Sequence, residues 1–384
     1  MYLEDLEAEL KGKNINFIAM AITPYHAIGI NAAIGYLESI GVELNGYILM
    51  TSHPDTGRVL NSLHFSTGKQ SIKYINFEYS FNEKKNIAQK ARIKLNQLLI
   101  TRKRKRGNPL YFVWTEVLNN ILHVIQQVYP NRDLVFIKID DGAASYLSSF
   151  ECRLSYLLYA SGNNKAGRIK SYAKAFGYSS ITTICEKGLQ KKRQLINANV
   201  FIKAKSADKD ALERNQLFSR YYNNAFKQID VDYQICELFQ DAIVINSQGL
   251  GEFKVTDGRV DFECFQKLAT YLNSKYKVIL KPHPREKELD KYYKLGWEVI
   301  KTDVSQEVIL ARAKPKCIIS FFSSTLLNAK GIFEVPVISL AKILLDEEIT
   351  STFRNELERY IRMYTGVVLF PSNFEEINNT IDTL

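Results

Sequence analysis

The feature that most constrains the fold is a regular alternation of short apolar, β-rich runs with segments of helical spacing. Residues 15–23 form the first run, and Pro24 follows at a position where a helix can begin. Residues 134–139 form another run, which stops at a polar turn. Strands that alternate with helices are typical of parallel sheets covered by helices. The sequence therefore predicts an α/β fold.

This alternation occurs twice along the chain. Residues 150–225 interrupt it with a polar, basic and tyrosine-rich stretch, and it resumes at residues 242–245. A chain of 384 residues has room for two domains. We therefore predict one α/β domain at residues 1–230, a second at residues 231–345, and a C-terminal helix at residues 346–384 that returns to the first domain. Two such domains facing one another form a cleft, with ligands at the carboxyl ends of the strands.

Composition excludes several classes of protein. Hydrophobic residues make up 46% of the chain and charged residues 24%, which is typical of a soluble globular protein and not of a disordered or collagen-like one. No apolar run approaches the ~18 residues of a transmembrane helix. The acidic start of the chain is unlike a signal peptide. The five cysteines are scattered without a CxxC spacing, which favours a reducing cytosol over a disulfide framework or a zinc site.

The basic surplus is concentrated in one region. The net charge is +10, yet residues 51–200 hold 24 Lys and Arg against 9 Asp and Glu. This surplus indicates an anionic partner: nucleic acid, an anionic membrane face or an acidic polysaccharide. The run Arg102–Arg106 is not accompanied by any nucleic-acid-binding motif, so we expect no nucleic acid partner. A loop contacting an anionic acceptor or the inner membrane leaflet fits the run better.

The first candidate for chemistry is Asp140-Asp141-Gly142, which directly follows the strand at residues 134–139. Adjacent carboxylates at a strand end can supply a general base, because one carboxylate raises the pKa of the other. A solvated turn is the simpler interpretation, since Asp and Gly are favoured in turns. His26 follows the first strand and is a further residue that could line the cleft.

The second candidate is the segment Lys281-Pro282-His283-Pro284-Arg285, after a strand at residues 277–280. The two prolines restrict the backbone and so fix the direction of the His283 ring. Lys281 and Arg285 make the local field positive, which suits a phosphate. The alternative is a rigid surface turn with an incidental histidine.

The third candidate is Ser323-Ser324-Thr325, at the predicted start of a helix. Hydroxyl groups and free backbone N–H groups at a helix N-terminus can bind an anion, although an ordinary helix cap has the same residues. Gly249, in Gly249-Leu250-Gly251, could let a phosphate approach the backbone, but the GxGxxG spacing is absent. His53 and His64 have no other ligand nearby, so we expect no metal site.

Taken together, Asp140-Asp141-Gly142, His283-Pro284 and Ser323-Ser324 resemble, in order and rough spacing, the D/E-D/E-G, HP and SS/ST motifs of bacterial sialyltransferases. These include the lipooligosaccharide sialyltransferase and capsule polysialyltransferase families. The resemblance implies a GT-B fold of two Rossmann-like domains, with an acceptor-side domain first and a nucleotide-sugar-binding domain second. It also implies CMP-sialic acid as the donor substrate, with no cofactor and no metal.

The resemblance also assigns roles. Asp141 or Asp140 would deprotonate the acceptor hydroxyl, and His283 would support the departing phosphate of CMP. Ser323 and Ser324 would bind that phosphate, with Pro284, Thr325, Gly249 and Lys281 as further donor-side residues. The acceptor would be an acidic or galactose-containing glycan of a bacterial capsule or lipopolysaccharide, made at the inner face of the cytoplasmic membrane. Two alternatives stay open: an enzyme using CDP-glycerol or another nucleotide donor, and a non-catalytic basic protein that binds glycan or membrane.

Overall fold

The two series of predicted strands form two separate parallel β-sheets, one in each half of the chain. The computed structural model describes residues 1–50, 71–76, 108–115, 132–141, 144–146, 165–203, 212–250, 260–272, 275–283, 286–346 and 351–384. It divides into the units Met1–Asn199 and Val200–Leu384. Two Rossmann-like units in one chain are the domain composition of the GT-B fold, so the predicted fold class is confirmed.

The first unit holds a six-stranded parallel sheet in the order β3-β2-β1-β4-β5-β6. The direction of strand addition reverses between β1 and β4, so the carboxyl ends of these two strands mark the topological switch point. The strands are β1 (Asn14–Ala21), β2 (Glu43–Met50), β3 (Ser71–Asn76), β4 (Leu110–Trp114), β5 (Leu134–Ile139) and β6 (Leu195–Ala198). The helices are α1 (Glu7–Leu10), α2 (Pro24–Ser39) and α3 (Lys165–Lys191), with 3₁₀ turns at Glu4–Leu6 and Ala144–Tyr146.

Local sequence explains why α2 starts where it does. Thr23 is its N-cap, and the Thr23 side chain accepts a hydrogen bond from the backbone N–H of His26. Pro24 occupies the first helical position, where the N–H group that proline lacks would have no intrahelical partner. The strand β4 is buried at all five positions, as expected for a central strand of a parallel sheet with both faces covered.

The second unit holds a five-stranded parallel sheet in the order β11-β10-β9-β12-β13, with its switch point between β9 and β12. The strands are β9 (Ile243–Asn246), β10 (Val278–Lys281), β11 (Glu298–Val299), β12 (Cys317–Ser320) and β13 (Val337–Ser339), and β7 (Phe201–Lys203) pairs with β8 (Leu212–Arg214) in a separate antiparallel hairpin. The helices are α4 (Gln216–Lys227), α5 (Tyr233–Glu237), α6 (Val260–Leu272), α7 (Asp290–Tyr293), α8 (Gln306–Leu310), α9 (Ser324–Phe333), α10 (Ala341–Leu344), α11 (Ser351–Tyr364) and α12 (Phe374–Thr383).

The boundary between the units precedes the predicted position at residue 230. Residues 200–203 and 212–230, predicted to lie in the first domain, belong to the second unit, and residues of β8 and α4 pack on its helix α9. The Arg214 Nε donates a hydrogen bond to the Gly331 carbonyl at 2.6 Å. The rings of Phe226 and Phe333 lie 5.7 Å apart. These contacts attach β8 and α4 to α9.

The C-terminal segment also differs from the prediction, which returned it to the first domain. Phe353 and Leu357 of α11 lie in the hydrophobic core of the second unit, together with Ile377 of α12. The ring of Phe374 stacks on Tyr271 of α6, with centroids 6.1 Å apart. These helices therefore complete the core of the second unit.

Several sequence features lie outside the described residues. They are Gly142, Gly251, Pro284, Arg285, the basic run Arg102–Arg106, and His53 and His64. Among the described residues, helix α3 and strand β6 were not predicted, and they fall in the stretch that showed weak periodicity. No helix in the described part of the chain is long and apolar enough to cross a membrane.

Candidate active-site residues

In the first unit, polar groups gather where β1, β4 and β5 end. These strands are neighbours in the parallel sheet, so their carboxyl ends lie at one edge. His26 lies in the first turn of α2, just after β1, and Trp114 is the last residue of β4. Their rings meet edge to face, with centroids 5.1 Å apart. Asp141 follows β5 and completes the group.

Asp141 is paired with His26. The His26 Nε2 lies 2.6 Å from the Asp141 Oδ1, well within hydrogen-bond distance. The two side chains differ in exposure: the side chain of His26 is 5% exposed and that of Asp141 is 46% exposed. The backbone N–H of Asp141 donates a hydrogen bond to the Ser145 hydroxyl. An exposed carboxylate is therefore held by a buried ring on one side and by a turn on the other.

The adjacent Asp140 has a different environment. It is fully buried, and its Oδ1 accepts a hydrogen bond from the Tyr146 hydroxyl at 2.7 Å. The sequence left open which of the two carboxylates meets an acceptor. The two carboxylates differ in burial, and of the two only that of Asp141 is exposed to solvent.

In the second unit, β10, β9 and β12 are neighbours, and the polar segments that follow them lie at one edge of the sheet. Gln248, just after β9, bridges this edge. Its Oε1 accepts hydrogen bonds from the backbone N–H of Phe322, at 2.8 Å, and from the hydroxyl of Ser320, at 3.3 Å. Gly249 then turns the chain with a φ of 56°, a left-handed conformation that favours glycine. This bridge fixes the loops after β9 and β12 at the switch point.

His283 follows β10 and is half-buried. Its backbone N–H donates a hydrogen bond to the Ser247 hydroxyl at 3.0 Å, and its carbonyl accepts one from the backbone N–H of Glu286 at 2.9 Å. The Ser247 hydroxyl in turn donates to the Glu286 Oε2. Ser247 and Glu286 thus hold both backbone groups of His283.

Glu286 is itself a buried carboxylate, 2% exposed. Its Oε1 accepts a hydrogen bond from the Tyr292 hydroxyl and lies 3.4 Å from the Lys291 Nζ. Burial and the nearby Glu286 carboxylate raise the pKa of the Tyr292 phenol. Burial likewise raises the pKa of Asp261, against the opposing effect of Lys291. The turn that carries His283 is therefore anchored to a buried ionic network.

Ser323, Ser324 and Thr325 stand at the start of α9, as predicted. Ser323 is the N-cap, and its hydroxyl accepts a hydrogen bond from the backbone N–H of Thr325 at 3.2 Å. Ser324 is exposed, while Ser323 and Thr325 are half-buried. The arrangement places hydroxyls and helix N–H groups together, which can bind an anion.

Lys281 departs from the expectation of a cation presented beside His283. It is the last residue of β10 and is only 7% exposed. Burial lowers the pKa of its ammonium group, whereas the carboxylates of Glu307 and Asp303 raise it. Proline at position 284 lies outside the described residues, so its predicted donor contact stays a prediction.

Two of the residues that support these sites, His26 and Ser247, are distant in sequence from the motif residues that they hold. The sequence predicts His26 only as a residue that could line the cleft, and it does not predict Ser247 or Glu286 as site residues. His26 is separated from Asp141 by 115 residues, and Ser247 from His283 by 36. For His26 and Ser247, the one sequence signal is a position shortly after a predicted strand, and Glu286 has no such signal. Among the described residues, no three or more His, Cys, Asp or Glu side chains are grouped so that they could hold a metal ion.

Comparison with solved structures gives remote likenesses. A UDP-GlcNAc 2-epimerase from Neisseria meningitidis is 14% identical, with a TM-score of 0.47 over 97% of this chain and 91% of that chain. An alpha/beta-galactoside alpha-2,3-sialyltransferase from Photobacterium phosphoreum is 11% identical, with a TM-score of 0.47 over 93% of this chain and 98% of that chain. At TM-scores below 0.5 neither likeness defines the fold, which the topology of the two sheets shows.

Sequence comparison is more decisive. The family model for alpha-2,8-polysialyltransferase matches residues 30–342, which is most of the chain. A search of curated proteins found no significant match. The matched range includes Asp141, His283 and Ser323, the residues at the strand ends of both units.

Proposed function

The chain belongs to the alpha-2,8-polysialyltransferase family, and from this premise we propose that it moves sialic acid from CMP-sialic acid to a hydroxyl of a bacterial surface glycan. Membership makes it a sialyltransferase, which uses a nucleotide-sugar donor and a glycan acceptor. The proposal adds three details: CMP-sialic acid is the donor, the configuration at the anomeric carbon is inverted, and the reaction needs no metal ion. The observation that carries it is the exposed Asp141 carboxylate, held by His26 at the end of β5.

Asp141 is the general base in this proposal. Its carboxylate takes the proton of the acceptor hydroxyl as the acceptor oxygen bonds to the anomeric carbon of sialic acid. The bond from that carbon to the phosphate oxygen breaks at the same time, and CMP leaves with the electron pair. A single displacement of this kind inverts the anomeric carbon. Asp140 has a structural role, because it is fully buried and bonded to Tyr146.

The donor side is assigned to the second unit. His283 and the start of α9 supply the groups that stabilise the negative charge on the leaving phosphate. Ser324 is exposed, and the half-buried Ser323 and Thr325 are its immediate neighbours. Gly249 permits close approach of the nucleotide to the backbone after β9. The partial positive charge at the N-terminus of α9 can stabilise the leaving phosphate, a task for which another enzyme would use a metal cation.

The distribution of charge supports the acceptor and the cellular location that we propose. The surplus of Lys and Arg in residues 51–200 supports an acidic glycan, such as capsule polysaccharide or polysialic acid, as the acceptor. A galactose-containing lipopolysaccharide is the other acceptor class. Both are assembled on the cytoplasmic face of the inner membrane, where we place the enzyme as a peripheral protein.

Helix α3 offers a surface for that peripheral contact. Ala175, Cys185 and Leu189 on one face are buried, whereas Ile169 and Phe176 on the other are 67% and 68% exposed. The helix sequence contains six Lys or Arg and a single Glu. Exposed apolar side chains beside basic ones suit an anionic bilayer surface better than a polar glycan.

Sedimentation with lipid vesicles tests this location. The enzyme should sediment with phosphatidylcholine vesicles that contain phosphatidylglycerol, and raised salt should weaken the binding. The double variant Ile169→Glu/Phe176→Glu should lose binding, whereas Tyr293→Glu, at a 58% exposed position of the second unit, should keep it. Equal binding by both variants would contradict the assignment of α3.

The reaction itself is tested by CMP release from CMP-sialic acid in the presence of a metal chelator. Lactose, sialyllactose and oligosialic acid serve as acceptors. The wild type should release CMP, and Asp141→Ala and His283→Ala should each lower kcat by about 10²-fold or more. If only CDP-glycerol or another nucleotide donor is consumed, the donor assignment is wrong. If activity needs an added metal, the metal-independent course is wrong.

A further inference from the structure

We propose that His26 is a positioning residue for the general base: it donates a hydrogen bond from Nε2 to one oxygen of Asp141 and so leaves the other oxygen directed to the acceptor hydroxyl. The inference rests on the proposed role of Asp141. It concerns the first unit alone, and all the contacts that carry it lie between described residues. His26 is not expected to touch the substrate.

The His26 ring is held from several directions. Its backbone N–H is fixed by the Thr23 hydroxyl at 3.3 Å, which sets the first turn of α2. The backbone N–H of Ile22 donates to the His26 Nδ1 at 3.4 Å, and the Trp114 ring packs edge to face against it. The Nε2 edge meets Asp141. The ring therefore has one orientation.

These contacts assign the proton on the ring. Because Nδ1 accepts a hydrogen bond from Ile22, it carries no proton, and the neutral ring carries its proton on Nε2. Nε2 is therefore a donor, and the Asp141 Oδ1 at 2.6 Å is its acceptor. The Oδ2 of Asp141 keeps its lone pairs for the acceptor hydroxyl. When that hydroxyl is deprotonated, the proton passes to Oδ2 and His26 keeps its own.

An exposed aspartate needs such a restraint. The Asp141 side chain is 46% exposed, and exposed side chains otherwise sample several rotamers. A misplacement of about 1 Å at a reacting group can lower a rate by about 10²-fold. Filling space beside Trp114 would require only an aromatic ring, whereas the bond to Asp141 requires a donor at the position of Nε2.

Two substitutions separate these roles. His26→Phe keeps a ring beside Trp114 but lacks the donor, and we expect kcat to fall by about 10-fold to 100-fold with little change in donor KM. His26→Gln places an amide N–H near the position of Nε2, and we expect it to recover most of the loss. In an Asp141→Asn background, His26→Phe should lower the residual rate by less than about 2-fold, because the two residues act as a unit.

The outcomes distinguish this inference from the proposed function. A wild-type kcat in Asp141→Asn overturns both. A wild-type kcat in His26→Phe, beside an impaired Asp141→Asn, overturns only the role of His26. Equal impairment of the Phe and Gln variants, or a further large loss in the double variant, overturns it too, because the role is then structural.

A spectroscopic measurement reads the tautomer in the wild-type protein and needs variants only to assign the signal and to test its partner. NMR of protein with ¹⁵N-labelled histidine reports the tautomer of each of the five rings. The His26 signal, assigned by its loss in His26→Gln, should be that of a neutral ring protonated on Nε2. It should shift when the exposed Asp141 is replaced by Asn. A ring protonated on Nδ1, or on both nitrogens, would overturn the inference.

Discussion

In each unit a buried side chain holds a more exposed residue, but the roles of histidine and carboxylate are exchanged between the two units. In the first unit, a buried histidine, His26, holds an exposed carboxylate, Asp141. In the second unit, a buried carboxylate, Glu286, holds the turn of a half-buried histidine, His283, through Ser247. Both arrangements stand at the carboxyl ends of parallel strands beside a switch point.

The comparison teaches that the group meant to react and the group that supports it have different burial. A buried partner can be fixed by packing, and it fixes the exposed group in turn. The supporting residues carry charge or hydrogen bonds into the interior, which is costly unless every group is satisfied. Substituting the exposed reacting group of either unit should therefore lower mainly the rate. Substituting its buried support should lower mainly the stability of the fold.

The largest effect is expected in the first unit, from the adjacent pair of aspartates. Asp141→Ala should lower kcat by about 10²-fold to 10⁴-fold because it removes the base, and its free energy of unfolding should change by less than about 1 kcal/mol. Asp140→Ala should lose about 2 kcal/mol, because the Tyr146 hydroxyl loses its buried acceptor. Steady-state kinetics and urea unfolding measure the two quantities. If Asp140→Ala loses the greater share of activity, the two roles are exchanged.

Glu286→Gln should show the corresponding effect in the second unit. The amide cannot accept from Ser247 and Tyr292 and also neutralise Lys291, so unfolding should become easier by about 3 kcal/mol. Because the His283 turn then loses its anchor, kcat should fall by about 10-fold. The matched control is Glu288→Gln at an exposed neighbouring carboxylate, which should leave both quantities near wild type. Thermal melts and CMP release measure them.

Equal effects of the Glu286 and Glu288 substitutions would contradict the supporting role of the buried carboxylate in the second unit. They would mean that the buried carboxylate of the second unit contributes no more than an exposed one. The support of His283 would then have to come from the strand end alone.

The sequence was sufficient for the fold because each unit repeats a simple pattern. Residues 134–139 were predicted as a strand with the bounds that the structure has, since this apolar run ends sharply at Asp140 and Asp141. Helix α3 was missed because its exposed face carries Ile169, Tyr172 and Phe176, which blurs the helical periodicity. The C-terminal helices were assigned to the wrong unit, because an apolar helix face does not specify which core it joins.

The candidate site was only half predictable for a related reason. Motif residues that are exposed or half-buried, such as Asp141, His283 and Ser323, follow strands and occur in short recognisable clusters. Their supports do not, because a buried histidine such as His26 looks the same as a packed core residue in one sequence. The pairing of His26 with Asp141 depends on the order of β1, β4 and β5 in the sheet, which a single sequence does not specify.

A smaller effect should separate helix capping from donor binding within the second unit. Ser323 caps α9 and Ser305 caps α8 in the same way, each accepting a backbone N–H. Replacing either by Ala should cost about 1 kcal/mol of stability. Only Ser323→Ala should raise the donor KM, by about 10-fold, because only it removes a proposed phosphate ligand. An unchanged KM would reduce Ser323 to a structural cap.

The smallest effect concerns a half-buried carboxylate, that of Glu38, which lacks the hydrogen bonds that Glu286 receives. Glu38 lies in the last turn of α2, where the helix end disfavours negative charge. Its Oε1 is buried without a hydrogen-bond partner among the described residues. Burial raises the pKa of this carboxyl from 4.5 to about 7. The folded state therefore holds the Glu38 proton in a range where the unfolded chain has released it.

The sign of the pH dependence follows. Because the folded pKa is the higher one, ionisation of Glu38 lowers stability progressively as pH rises from 4.5 to about 7. Glu38→Gln should raise the free energy of unfolding by about 1 kcal/mol near pH 8, less than the full shift implies because the residue is half-buried and solvent screens it. The gain should vanish near pH 4.5. Urea unfolding at both pH values, with the exposed Glu7→Gln as control, measures it. An equal gain at both would show that the carboxyl is as well solvated as Glu7, and the contrast between Glu38 and Glu286 would fail.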